Sequence, residues 1–354
     1  MSKEKSVPQV TALRVAVDDG SGNIAHKFKD DRGQVFEQVS PSCIVEGVLS
    51  DLTNGISDQA WETEEGQRYT VTINHTSQIN TCNKNYQVSL ANRVLVQNAI
   101  AKDGLAGQQV HLGVTLPTAQ FYTGDPEKPI AVERIEEKCA NLKKGVTNIS
   151  GAYAKADIVD VTVYPEAIPA YIYCSLNEDG TPASDYPDDH LTLVVDLGRY
   201  TCDMALITTG YQVNKFATTE NGVHLMCDRF RKFLARNASS INLMDVDSFS
   251  DNQIDRIINL GYIGSSLESE KAIAARKDVT HLIKDAKEYL SDIIFKDIRA
   301  IAGDINTLTR IVFVGGGANW LAEEAQEWCH TVSIPDEPEL AIVRGTYFML
   351  TQEA

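Results

Sequence analysis

One pattern constrains this chain more than any other. An apolar strand that stops at an aspartate and turns on glycine is written twice, about half the chain apart. The first copy is Val15-Ala16-Val17-Asp18-Asp19-Gly20-Ser21-Gly22 and the second is Leu193-Val194-Val195-Asp196-Leu197-Gly198. Glycine has no Cβ, so the backbone N–H groups of such a turn can approach phosphate oxygens. The aspartate can hold Mg²⁺, usually through water, because that ion dehydrates reluctantly. Two such turns facing each other would clamp a nucleotide from both sides.

The chain has 354 residues, enough for two domains and a large core. Its net charge of −17 repels phosphate backbones and anionic lipid, so neither direct nucleic-acid binding nor membrane binding is expected. The polar stretch Met1–Gln9 carries no signal-peptide core, and a cytoplasmic location is the expectation. The seven cysteines include no CxxC pair, which fits reduced thiols rather than a disulfide framework or a zinc site. The histidines show no metal-ligand spacing.

Apolar patterning predicts strands at Leu13–Val17, Val110–Leu116, Ile158–Val163, Leu191–Asp196, Asp203–Thr208, Gln212–Ala217 and Arg310–Val314. A β-meander over Ala25–Val39 turns at Asp30-Asp31-Arg32-Gly33, and Arg68–Asn74 is also β-rich. Helical spacing is expected at Leu90–Ala101, Ile130–Leu142, from Glu166, and at Val223–Arg236, Asp251–Leu260, Val279–Ala302, Asn319–Cys329 and Pro338–Thr351. Alternating strands and helices argue for α/β layers. Leu176–His190, rich in Asp, Pro, Gly and Ser, is the linker candidate. Both halves thus open alike, with a strand, an Asp-x-Gly turn, a meander and a helix.

Two further segments join the turns. Tyr164-Pro165-Glu166-Ala167-Ile168-Pro169-Ala170 places one carboxylate at a strand-to-helix junction. Phe313-Val314-Gly315-Gly316-Gly317-Ala318 runs a strand into a glycine loop where a flat ring or a phosphate can lie against backbone. Gly345, in the closing helix, is available for close helix packing.

In this order the segments resemble the actin/Hsp70/sugar-kinase ATPase superfamily, over nearly the whole chain. Within it they are most similar to the plasmid-segregation actins of the ParM (StbA) type. The residues that carry the likeness are Asp18-Asp19-Gly20-Ser21, Pro165-Glu166-Ala167-Ile168-Pro169-Ala170, Asp196-Leu197-Gly198 with Thr201 and Asp203, and Gly315 to Ala318. The resemblance implies an α/β, actin-like (ribonuclease H-like) two-domain ATPase fold with a central nucleotide cleft. Domain I would cover 1–186, with helix 336–354 returning to it, and domain II 187–335. It implies Mg-ATP in the cleft (with GTP left open), polar filaments of the chain, and hydrolysis that makes them unstable. A ParR-like adaptor on a centromere-like plasmid site would cap them.

Carried over by position, Asp18 and Asp196 would face Mg²⁺ and its waters from opposite domains. Glu166 would position or activate the attacking water, these three forming the catalytic set. Asp19, Gly20, Ser21, Gly22 and Asn23 would contact the nucleotide on one side, and Gly198, Arg199 and Thr201 on the other. Gly315, Gly316, Gly317 and Ala318 would border adenine or ribose. Two departures stand out. Relatives often place a lysine where Ala25 stands, whereas this chain has His26 and Lys27. The second turn usually continues Gly-Gly-Thr, whereas Arg199 and Tyr200 follow Gly198 here. Arg199 either narrows the phosphate space or supplies a positive charge to it. A small-molecule kinase of the same superfamily and a non-hydrolysing actin-like structural protein remain as alternatives.

Overall fold

The computed structural model describes residues 12–51, 55–73, 75, 77–177, 179–183, 190–208 and 212–352. The expected boundary at 186/187 and residues 178 and 184–189 of the predicted linker therefore lie outside the described residues.

The first sheet is built from β1 (Leu13–Asp19), β2 (Asn23–Lys29), β3 (Val35–Pro41), β4 (Gln109–Leu116) and β5 (Asp157–Pro165), in the order β5-β4-β1-β2-β3. The second comprises β6 (Leu191–Leu197), β7 (Cys202–Thr208), β8 (Gln212–Thr219), β9 (Arg310–Val314) and β10 (Val332–Ser333), in the order β10-β9-β6-β7-β8. The two orders are the same pattern, with an antiparallel meander on one side of the first strand and parallel strands on the other. The shared opening read from the sequence is thus a repeat of topology. Because β1 and β4, and likewise β6 and β9, run parallel, their carboxyl ends share one edge. Open sheets of this kind bind ligands at that edge.

The helices that frame the site are α1 (Leu90–Ile100), α2 (Val132–Lys143), α3 (Ala167–Ser175), α4 (His224–Asn237), α5 (Asp251–Leu260), α6 (Thr280–Ala302) and α7 (Ala341–Gln352). Helix α5 has the bounds expected. It opens on a capping box, in which the Ser250 side chain accepts from the Gln253 amide and Gln253 reaches back, and it closes on left-handed Gly261. The helix expected at Ile130–Leu142 starts at Val132, because Lys128–Ile130 forms a short strand. The helix expected at Asn319–Cys329 is instead two short pieces, Gly316–Trp320 and Ala322–Ala325, broken at Leu321. Trp328 still packs in the core there, as its apolar neighbours suggest.

One core lies between the first sheet and α1, and a larger one between the second sheet and α4, α5 and α6. A third joins the sheets. Ala167, Ala170 and Ile172 of α3 and Ala341 and Ile342 of α7 pack on Val194, Ala205 and Val312 of the second sheet. Helix α7 also lies along the first sheet, where Val343 packs with Ala16 and Ala25. The two helices cross so closely that a Cβ on Gly345 would stand 1.8 Å from the Pro169 carbonyl oxygen. Glycine at 345 therefore fixes how α3, and with it Glu166, sits between the sheets. All seven cysteines are free thiols. Among the described residues no helix is long and apolar enough to cross a membrane.

Candidate functional site

The carboxyl edges of both sheets open on one cleft of ≈ 1410 Å³. Its walls include Asp18, Gly20, Ser21, Gly22 and Asn23 from the first turn, Asp196, Gly198, Arg199 and Thr201 from the second, Glu166, and Gly315, Gly316 and Gly317. Residues far apart in the chain thus line one space.

The first turn is held from behind. Ser42 Oγ donates to the Gly20 carbonyl at 2.7 Å, Thr81 Oγ1 to the Ser21 carbonyl at 2.7 Å, and the Ser42 amide to Gly22 O at 3.0 Å. Peptide planarity then turns the amides of Ser21 and Gly22 away from those donors. The second turn closes through the Gly198 amide on Thr201 O at 2.9 Å, and α4 is docked beneath it by His224 N on Arg199 O at 2.9 Å. Gly222 lets that docking happen, since a Cβ there would stand 2.4 Å from the Tyr200 carbonyl carbon. The third loop depends on Gly315 (φ +84°, ψ 166°), in a backbone region open essentially to glycine alone. A Cβ there would meet Asp196 Oδ1 at 2.2 Å.

Three carboxylates line this space, Asp18, Glu166 and Asp196, and a fourth, Asp203, is buried close behind them. Asp203 was not among the expected site residues. It lies directly across the β6–β7 ladder from Asp196, an arrangement that destabilises a sheet when both are charged. Thr218 Oγ1 donates to Asp203 Oδ1 at 2.5 Å. The four-residue Gly198–Thr201 turn fixes that register, so the pairing follows from the hairpin once the turn length is known. Thr115, on β4, donates to Asp18 Oδ1 at 3.2 Å.

Removal from water pushes the Asp18 carboxyl up to about 7. The Asp19 charge adds to this, and the Thr115 hydrogen bond and Lys138 oppose it. Asp203 is pushed up to about 6 by burial, against hydrogen bonds from Thr218, Thr201 and the Thr118 backbone. Glu166 and Asp196 lie well above the ordinary carboxylate range, first through burial and then through the other carboxylates. Such a cluster favours cations. Among the described residues, however, no three His, Cys, Asp or Glu side chains converge closely enough to grip a metal directly. Asp18 and Asp196, which line the cleft from opposite sheets, could accept hydrogen bonds from the waters of a hydrated Mg²⁺.

Two expected contacts are placed elsewhere. Asp19 does not line the cleft; it is fully buried in an ion pair with Lys138 at 2.9 Å, and Asn92 Nδ2 donates to it at 2.6 Å. Consecutive residues on a strand point to opposite faces, so with Asp18 toward the cleft Asp19 turns into the domain. Ala318 lies under the glycine loop in the core of the second half, fully buried. Lys27 is held by Glu37 at 2.9 Å, together with Arg344, and is not among the cleft's lining residues. Arg199 does line the cleft, but its guanidinium holds Asp255 of α5 at 2.7 Å.

Comparison with known proteins gives this geometry a family. Residues 13–177 match the family model described as "Plasmid segregation protein ParM, N-terminal", and residues 194–327 match "Archaeal actin homologue MreB-like, C-terminal". The chain belongs to the actin-like proteins, with a ParM-type N-terminal domain. No curated protein matches it by sequence. Among solved structures, the chain of a 15-stranded ParM filament from Clostridium botulinum is 18% identical with a TM-score of 0.70, 97% of this chain covering 100% of that one. A non-polymerisable quadruple mutant of pCBH ParM is 17% identical with a TM-score of 0.71, again over 97% and 100%. The archaeal actin homolog Ta0583 in complex with ADP is 16% identical with a TM-score of 0.70 over the same shares. At such identities these structures establish the actin-like fold, and the paired sheets and central cleft are its features.

Proposed function

We propose that the cleft binds a magnesium nucleoside triphosphate, ATP foremost, and hydrolyses it, and that the chain uses this cycle to control filaments that segregate plasmid DNA. One observation carries the reading: two glycine turns and three carboxylates, Asp18, Glu166 and Asp196, drawn from both halves, line a single cleft. The ParM-type N-terminal domain and the likeness to a ParM filament chain support it.

In this reading the Ser21 and Gly22 amides bind phosphate from one side and the Gly198–Thr201 turn from the other. Asp18 and Asp196 hold the metal's waters, and the bound ion supplies charge neutralisation at the phosphates. Glu166, 6% exposed and at the junction of β5 and α3, orients the attacking water and accepts its proton. Burial and the neighbouring carboxylates raise its pKa, which makes it a stronger proton acceptor than an exposed glutamate. Gly315 to Gly317 border the nucleoside. Phosphoryl transfer of this type works by positioning and electrostatics. We assign residues 1–186 with 336–354 to one domain and 187–335 to the other, so that nucleotide contacts come from both.

A polar filament needs a heterologous contact between copies that does not close into a ring. The net charge of −17 opposes assembly at low salt and disfavours direct binding to DNA, which assigns that task to a basic, ParR-like adaptor. Electron microscopy of the purified protein with and without ATP and Mg²⁺, alongside phosphate release, tests the proposal. Filaments that need nucleotide, together with phosphate release, are expected. Saturable phosphorylation of a sugar without filaments would assign the chain to the kinases of this superfamily. Filaments without phosphate release would make it a structural actin.

A further inference from the structure

We propose that Arg199 distinguishes a nucleoside triphosphate from a diphosphate by exchanging Asp255 for the terminal phosphate, and that helix α5 carries the exchange across the cleft. This rests on the reading of the cleft as a nucleotide site. Three features of the structure lead to it.

The stem of Arg199 lies between the two phosphate turns, where a Cβ on Gly22 would stand 2.4 Å from Arg199 Cβ. The guanidinium is thus tethered at the gap where the phosphates must enter. No lysine occupies the Ala25 position, and Lys27 is held by Glu37. Strand β2 thus contributes no lysine to the cleft wall, whereas Arg199 is part of it.

The grip on Asp255 is of an exchangeable kind. Both carboxylate contacts, 2.7 and 2.8 Å, come from the single nitrogen Nη1. The strongest arginine–carboxylate pairs use two nitrogens in a fork. The side chains are 17% and 28% exposed, so Asp255 can regain water when released. A terminal phosphate offers more charge and more acceptor oxygens than one carboxylate, and its arrival also repels Asp255.

Asp255 sits on α5, three residues after Asn252, whose Nδ2 donates to the Ile73 carbonyl at 2.6 Å. That bond joins the second half to the first across the cleft mouth, where both residues are lining groups. Cys227 Sγ, on α4, also lies 3.6 Å from Asp255 Oδ1. Release of Asp255 therefore loosens α5 at the point where it spans the cleft.

The test is titration of ATP and ADP, each with Mg²⁺, into the wild-type chain, Asp255→Asn and Arg199→Gln, with folding of each checked by thermal unfolding. Asp255→Asn removes the competing charge and is expected to bind ATP several-fold more tightly, with ADP affinity little changed. Arg199→Gln is expected to lose about tenfold or more in ATP affinity, the scale of a charge-assisted hydrogen bond, and little for ADP. Hydrogen exchange over 251–260 should rise on ATP binding in the wild type and not in Arg199→Gln. ATP binding that Asp255→Asn leaves unchanged or weakens overturns the exchange, as does an Arg199→Gln variant that binds ATP like the wild type. If the wild type binds neither nucleotide, the reading of the cleft fails and the exchange with it; if it binds both and the variants match it, only the exchange fails. Should Arg199→Gln not fold, Asp255→Asn decides alone.

Discussion

Replacing Gly315 by alanine separates the two demands placed on the glycine loop, one from backbone conformation and one from Asp196. At φ +84° and ψ 166° an alanine costs about 1–3 kcal/mol. Its methyl group would also stand 2.2 Å from Asp196 Oδ1 and 2.7 Å from the Leu197 carbonyl oxygen. The carboxylate can turn aside, but the Leu197 backbone lies in β6 and cannot, so overpacking adds about 1–3 kcal/mol. A total of about 4 kcal/mol is expected, lowering the unfolding midpoint by roughly 5 °C in a chain of 354 residues. Gly104→Ala is the control. Gly104 also has a positive φ (+95°, ψ +6°), but a Cβ there meets nothing within 4 Å, so only about 1–2 kcal/mol is expected. Thermal unfolding of both variants without ligand gives the difference. Nucleotide titration with and without Mg²⁺ then reads the displacement of Asp196, and Gly315→Ala should lose most of the gain that Mg²⁺ confers. Equal destabilisation of the two variants, with the Mg²⁺ gain intact in Gly315→Ala, would refute the contact between loop and carboxylate.

Other consequences are open to direct measurement. Glu166→Ala should bind ATP and assemble while releasing phosphate about 10²–10⁴-fold more slowly, leaving more persistent filaments; undiminished phosphate release would remove Glu166 from the mechanism. Asp196→Ala should bind nucleotide equally with Mg²⁺ and with a chelator, and wild-type Mg-ATP affinity would count against its assignment. Asp18 at about 7 and Asp203 at about 6 stand above their ordinary 3.8, so the folded, ligand-free protein keeps protons that the unfolded chain gives up. Their contribution to stability is complete below about pH 4 and is lost as pH rises through 6 to 7. Asp18→Asn should therefore gain in unfolding midpoint over the wild type between pH 5 and pH 8, and a gap that ignores pH would contradict the shift. Gly345→Ala, with its Cβ 1.8 Å from Pro169 O, should cost about 3 kcal/mol or more through backbone overpacking. It should also slow phosphate release by moving α3 and Glu166, and a stable, fully active variant would refute the tight crossing.

The sequence by itself determined the local parts. Each Asp-x-Gly turn, the Pro165–Ala170 junction and the Gly315 loop are short motifs whose chemistry needs those residues in that order, and apolar runs placed most strands. The doubled opening also foretold two sheets of one topology. Much of what was missed depends on partners distant in sequence. Asp203 adds its charge beside Asp196 because the hairpin register sets the two opposite each other. Arg199 turns to Asp255 because α5, more than fifty residues onward, is folded against the second turn. Asp19 was within reach of sequence reasoning, since strand alternation sends it away from Asp18, but its Lys138 partner is supplied only by the packing of α2. A turn's conformation is fixed by a few neighbouring residues. The charge environment of a buried carboxylate is fixed by whatever the chain brings beside it, and only the tertiary structure decided that.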